Sequence, residues 1–234
     1  MTTHDESTNR RSLERKTLTE QVYETLRDDI LSARLKPNSS LQEVAIAKEL
    51  GVSRGPVREA FQKLAADGLI NLLPHRGAFV TSLTWEEFIE AYQIREALEV
   101  LGVRLAADKL TEVDFSSLRN LHEQMKLFAA AEDVDKFFDA NERFHTEIIN
   151  RSGNHKLIEI YYPLKDQMRR YRMRSLTLRG GMTRSCEEHE AILQALQAGE
   201  GEKASHLMGK HIQIPKQLLM SENAAQELEL VTKN

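Results

Sequence analysis

Cysteine is almost missing from this chain: Cys186 stands alone among 234 residues. An intramolecular disulfide is therefore excluded, and a reducing, cytoplasmic setting is expected. Long apolar runs are missing as well. None approaches the roughly 20 residues that span a bilayer, and the opening MTTHDESTNRRSLERK holds no apolar core of the signal-peptide kind, so no membrane partner is expected. Excess positive charge is also lacking, with 32 Lys/Arg against 36 Asp/Glu. Residues 1–84 carry 12 basic and 11 acidic side chains, and 85–234 carry 20 and 25. That balance excludes a broadly basic, non-specific nucleic-acid binder, while leaving room for a contact made by a few placed arginines near the N-terminus. Signatures of catalysis are absent too. There is no HExxH, no nucleophile elbow and no Gly-rich phosphate loop. Cys186 lies near His189, but without an orienting third group. An enzyme is not expected.

What the chain does contain is punctuation. Thr17 and Glu20 have capping-box spacing, and Val22, Leu26 and Ile30 repeat at helical intervals to about Arg34. LKPNSS is turn material. Ser40 and Glu43 have the same box spacing before a short helix that Gly51 ends. Ser53 is the natural N-cap of a third helix, with Pro56 in its first turn and Gly68 at its end. LINLLPHRGAFVTSL reads as two short strands around a Pro-His-Arg-Gly turn. Three helices and a hairpin, the second and third helices closely joined, make a winged helix-turn-helix.

From Thr84 helical periodicity takes over. Helices are expected near 84–109, 112–131, 133–151, 154–178, 182–198 and 200–221, with Pro215 kinking or ending the last. The predicted fold is mainly α: a disordered tail at 1–16, a winged helix-turn-helix domain at 17–83, an all-helical bundle at 84–221 and a flexible tail at 222–234.

The start of the third helix carries the first chemistry. Arg54 and Arg58 are four apart and share a face opposite the apolar Val57, Phe61 and Leu64. Arginine suits guanine O6 and N7, and a Ser53 hydroxyl beside helix N-terminal N–H groups suits phosphate. Arg76 at the hairpin tip can enter a minor groove, and Gly77 lets backbone approach phosphate. An isolated RxxxR is usually a solvated pair; here the surrounding turn, proline, glycine stop and wing favour DNA.

LGVSRGPVREAFQKLAADGLINLLPHRGAFV resembles the winged-helix module of the GntR family of bacterial transcription regulators, and the helical remainder resembles the FCD domain of its FadR subgroup. The resemblance spans roughly residues 18–221 and puts DNA contacts on Ser53, Arg54, Gly55, Arg58, Arg76 and Gly77. The chain departs from the pattern twice. Val44 stands where many relatives carry a DNA-contacting arginine, and Gly55 stands where threonine is common.

In the helical part, Asn141 and His145 share a helix face, and His189 and His211 lie on later helices. Spacing alone leaves ordinary surface or core histidines open. The resemblance selects the same four residues as a site for a divalent metal ion, and three imidazoles with one oxygen suit Zn²⁺, Ni²⁺ or Mn²⁺. His122 and His155 read as surface residues. Arg95 is at the position whose arginine faces the effector pocket in relatives, although a salt bridge to Glu99, four residues on, is the rival account. Arg169 and Arg172 are further effector candidates, and Cys186 reads as a part-buried small residue. A metal plus arginine favours a small carboxylate effector. The resemblance and the need to read a palindrome together imply a homodimeric, operator-binding repressor. A purely structural metal site without effector, and a metal-dependent enzyme, are the alternatives.

Overall fold

The computed structural model describes residues 16–178 and 180–232, with side chains through Asn223. Except for Lys16, the expected disordered tail at 1–16 lies outside the described residues. Helix α1 (Leu18–Leu31) opens on the Thr17 box: Thr17 Oγ1 accepts from the Glu20 N–H, and Glu20 Oε2 accepts from the Thr17 N–H at 2.9 Å. Strand β1 (Ser40–Leu41) precedes α2 (Glu43–Glu49) and α3 (Arg54–Ala66); strands β2 (Ile70–Leu73) and β3 (Gly77–Val80) close the hairpin. Helices α4 (Trp85–Ala106), α5 (Glu112–Ala130), α6 (Val134–Arg151), α7 (His155–Gln167), α8 (Arg169–Thr177), α9 (Gly181–Gln197) and α10 (Gly201–Thr232) follow. The first three helices with the sheet form one compact unit, and α4 onward form a second.

In the first unit α3 buries Val57, Ala60, Phe61 and Leu64, spaced i, i+3, i+4, i+7, while α1 buries Val22 and Leu26. Burial of a side chain such as Phe61 contributes about 1.5–3 kcal/mol, so this stripe fixes which face of α3 looks outward. The sheet is antiparallel in the order β1-β3-β2, with Leu41 opposite Ala78 and Ile70 opposite Val80. β1 corrects the sequence expectation. Ser40 pairs with Phe79 instead of capping α2, whose N-cap is Gln42 without a side-chain cap bond.

The second unit packs α4 against α10 and α6, and α5 against α6 and α9. Its core holds Phe88, Tyr92, Phe137, Phe138, Phe144, Leu118 and Met125. Thr84 with Glu87, and Thr111 with Asp114, form complete capping boxes. Two expected helix bounds differ. The helix read over 154–178 is two, because Met168 both closes α7 and caps α8. The last helix ends neither at Pro215 nor at 221, and its backbone runs to Thr232. Pro215 is buried within that helix; packing against α4, α8 and α9 outweighs the one backbone bond that proline removes. Among the described residues, no helix is long and apolar enough to cross a membrane.

Candidate functional site

Two sites emerge, one in each unit. With its apolar stripe buried, α3 leaves Arg54 and Arg58 outside, their side chains 60% and 62% exposed. Both reach back to α2. Glu43 Oε2 accepts from Arg54 Nη2 at 3.3 Å and from Arg58 Nη2 at 3.5 Å. Partial burial raises the pKa of the Glu43 carboxyl, but the two guanidinium groups outweigh it and hold the pKa below the usual carboxylate range. Ser53 lies exposed directly before α3. At Gly55 an added Cβ would come no closer than 4.0 Å to Ser53 Oγ, so a side chain would fit there. Arg76 and Gly77 are exposed at the hairpin tip, and Gly77 needs its glycine because φ is +92°. Val44, 62% exposed, lines the same groove as Glu43, Arg54 and Arg58. The contact of Glu43 with both arginines has no sequence signal beyond the capping-box spacing of Ser40 and Glu43.

In the helical unit His145 of α6, His189 of α9 and His211 of α10 converge, all buried. The Nε2 atoms of His189 and His211 lie 3.1 and 3.3 Å from that of His145. Each ring is aimed from behind through Nδ1. His145 Nδ1 bonds Glu99 Oε2, His189 Nδ1 bonds the Ser185 carbonyl at 2.6 Å, and His211 Nδ1 bonds Glu188 Oε2 at 2.6 Å. A carbonyl only accepts, so His189 Nδ1 carries the proton and Nε2 presents a lone pair. An ionised Glu99 demands the same of His145. Glu99 is 1% exposed, yet Arg95 and His145 hold its carboxyl far below the usual range against the effect of burial. Burial lowers the pKa of all three histidines, which favours neutral rings; for His189 and His211 the neighbouring imidazoles add to it, and for His145 Glu99 opposes it. Burial pushes Glu188 up to about 7, with Arg184 working against it.

Three converging neutral nitrogens with carboxylate and carbonyl groups behind them are a donor set for a borderline divalent ion. Nitrogens bound at about 2.0–2.1 Å to a tetrahedral ion lie roughly 3.3 Å apart, close to the two separations observed. The residues present therefore fit such an ion. Asn141, also buried, is one turn before His145 and lines a small adjoining cavity with Arg95, Arg172, Arg184, His211 and Pro215. That cavity measures 20 Å³, room for about one water.

The arginine candidates divide. Arg95 is buried, donates from Nε to Glu99 Oε1 at 2.7 Å, as the salt-bridge account expects, and also lines the cavity. Arg172 lines the cavity too. It donates through Nη1 to Glu142 at 3.1 Å, while its buried Nη2 has no hydrogen-bond partner among the described residues. Arg169 is elsewhere: it stacks on Phe138 and bonds Glu142 and Asp139, and the cavity lining does not include it. Arg184 was missed. Its buried Nε stands 3.4 Å from Glu188 without hydrogen-bond geometry, at the cavity wall. The only sequence signal was its place one turn before the Glu188–His189 pair.

His122 is not a surface residue. It is 3% exposed, with Nε2 3.0 Å from the Cys186 carbonyl and Nδ1 3.0 Å from the Glu190 carboxylate. Its spacing with Leu118, Leu121 and Met125 puts it on the buried face of α5. His155 is exposed. Burial pushes the Cys186 thiol up to about 11, which disfavours the thiolate a nucleophile requires.

Both units have counterparts among known proteins. The family model "Bacterial regulatory proteins, gntR family" matches residues 18–80, and that of the FCD domain matches 90–214. The HTH-type transcriptional repressor RspR of Escherichia coli is 31% identical over 83% of this chain and 85% of its own length. The gluconate operon transcriptional repressor of Bacillus subtilis is 34% identical over 75% of this chain and 73% of its own. Among solved structures, McbR/YncC of Escherichia coli superposes with a TM-score of 0.77 at 26% identity, covering 89% of this chain and all of that one.

Proposed function

Because the chain belongs to the GntR family of bacterial regulatory proteins and carries an FCD domain, we propose that it is a repressor whose grip on a palindromic operator is controlled by a small carboxylate bound beside a divalent metal ion. The two curated relatives described above are named as transcriptional repressors. The observation that carries the effector half is the buried meeting of three imidazole Nε2 atoms next to a cavity lined by Arg95, Arg172 and Arg184. His145, His189 and His211 would hold the ion, with Asn141 as the fourth candidate ligand. Bound there, the ion would supply positive charge and an open coordination position for a carboxylate oxygen. Arg172 and Arg184, each with a buried N–H lacking a hydrogen-bond partner among the described residues, are the natural clamps for the rest of the anion. Occupation biases the equilibrium between DNA-binding and released states.

For the DNA half, Arg54 and Arg58 are the base readers, Arg76 the minor-groove contact, and Ser53, the Gly55 backbone and Gly77 the phosphate contacts. A pair of such units is needed for a palindrome. On α4 and α7 the exposed Ile94, Leu101 and Ile160 offer an apolar face for a second copy. Arg58→Ala should weaken binding to a cognate duplex by about 10- to 100-fold, the worth of one bidentate guanine contact. Equal binding of parent and variant in a fluorescence-anisotropy titration would show that Arg58 is not a reader.

One observation favours a second reading. The cavity of 20 Å³ admits no organic acid as it stands, which suits a purely structural ion. A thermal-shift screen of hydroxy acids, sugar acids and dicarboxylates, with and without chelator, separates the two. An effector raises Tm only in metal-loaded protein, and Arg172→Ala should abolish most of that rise. A metal-dependent rise with no response to any acid would favour the structural ion.

A further inference from the structure

The DNA-facing surface contains a carboxylate that phosphate binding does not explain. Glu43 occupies the first position of α2, its side chain only 27% exposed, between two arginines that are more than half exposed. A negative charge on a surface that must meet phosphates lowers affinity. Arginines on such a surface, left untied, would serve phosphates of any sequence, because phosphate contacts carry no sequence information. We infer that Glu43 is the specificity-setting residue of this surface: one carboxylate oxygen holds Arg54 and Arg58 as base readers, and the other is offered to a cytosine amine between them.

The geometry supports each part. Oε2 accepts from both guanidinium groups, and Oε1 makes no hydrogen bond among the described residues. The three side chains thus present a donor, an acceptor and a donor on one ridge. Guanine O6 and N7 accept from arginine, and cytosine N4 donates to a carboxylate. Among the described residues Glu43 is the ion-pair partner of both Arg54 and Arg58, and no other is present for either.

This inference rests on the DNA-binding reading above, and the test separates the two. Duplexes are selected from a random pool by the parent protein. Binding of parent, Glu43→Gln and Glu43→Ala is then measured on the selected duplex and on a scrambled duplex, at several salt concentrations. For Glu43→Ala, affinity for the selected duplex should fall about tenfold. Affinity for the scrambled duplex should rise, and its salt slope should steepen by about one. Glu43→Gln should lie between. Reselection with the alanine variant should lose a cytosine preference while retaining guanines. Parallel loss on both duplexes would mark Glu43 as merely structural and overturn the inference, as would unchanged binding. If the parent selects no sequence and Arg58→Ala changes nothing, the DNA-binding reading fails, and the role of Glu43 falls with it.

Discussion

Glu99→Ala should destabilise the helical unit by about 3–5 kcal/mol, the usual cost of removing one partner from a buried ion pair. Glu99 lies fully inside the bundle. Its Oε1 accepts from Arg95 Nε at 2.7 Å and from the Tyr161 hydroxyl at 3.4 Å, and its Oε2 bonds His145 Nδ1. Alanine would strand the Arg95 guanidinium, which is 4% exposed, and free His145 to rotate. Replacing both charges with apolar side chains, as in Arg95→Met with Glu99→Leu, should restore much of the stability, because no unpaired charge remains. It should not restore metal binding, because His145 still lacks its carboxylate. Urea denaturation followed by circular dichroism measures the first effect. A loss under about 1 kcal/mol would mean that Glu99 is not the electrostatic keystone of the unit.

The second large effect concerns the ion. Chelator-stripped protein given Zn²⁺, Ni²⁺ or Mn²⁺ at a thousandfold excess over Kd should gain about 4 kcal/mol. For a unit of this size that is roughly 8–16 °C in Tm. His189→Ala should abolish the gain. Its ring is completely buried and contributes one of the three converging nitrogens among the described residues. The same substitution leaves a cavity, so the stripped variant should itself melt lower. The readout that matters is the difference between stripped and loaded protein. If the variant gains as much as the parent from every metal tried, the ion does not sit among these histidines.

The sequence was most legible where one element's own period carries the answer. Val57, Ala60, Phe61 and Leu64 mark the inner face of α3 and so assign Arg54 and Arg58 to the outside. Gly51 and Gly68 both adopt the positive φ that their stop positions require. β1 escaped because two residues have no readable period. The α7–α8 break escaped because Met168 is a good helix former with no glycine or proline beside it. At the candidate metal site, the i, i+4 spacing relates only Asn141 to His145, and it is the resemblance that groups them with His189 and His211. Their convergence belongs to the packing of α6, α9 and α10, which no spacing records. For the same reason Glu188 and Arg184 went unnoticed, and His122, judged by residue type instead of by its place on α5, was assigned to the wrong side of its helix.

Pro215 gives α10 a mechanical character. It lines the cavity, and because it has no N–H, the His211 carbonyl loses its backbone partner on that turn. The helix is therefore one backbone hydrogen bond short beside the cavity. From Pro215 to Thr232 the rod is about 25 Å long at about 1.5 Å per residue. A tilt of about 10° at this turn carries its far end through about 4 Å. Any such tilt at this turn would thus reach the far end of the helix enlarged to about the width of a side chain.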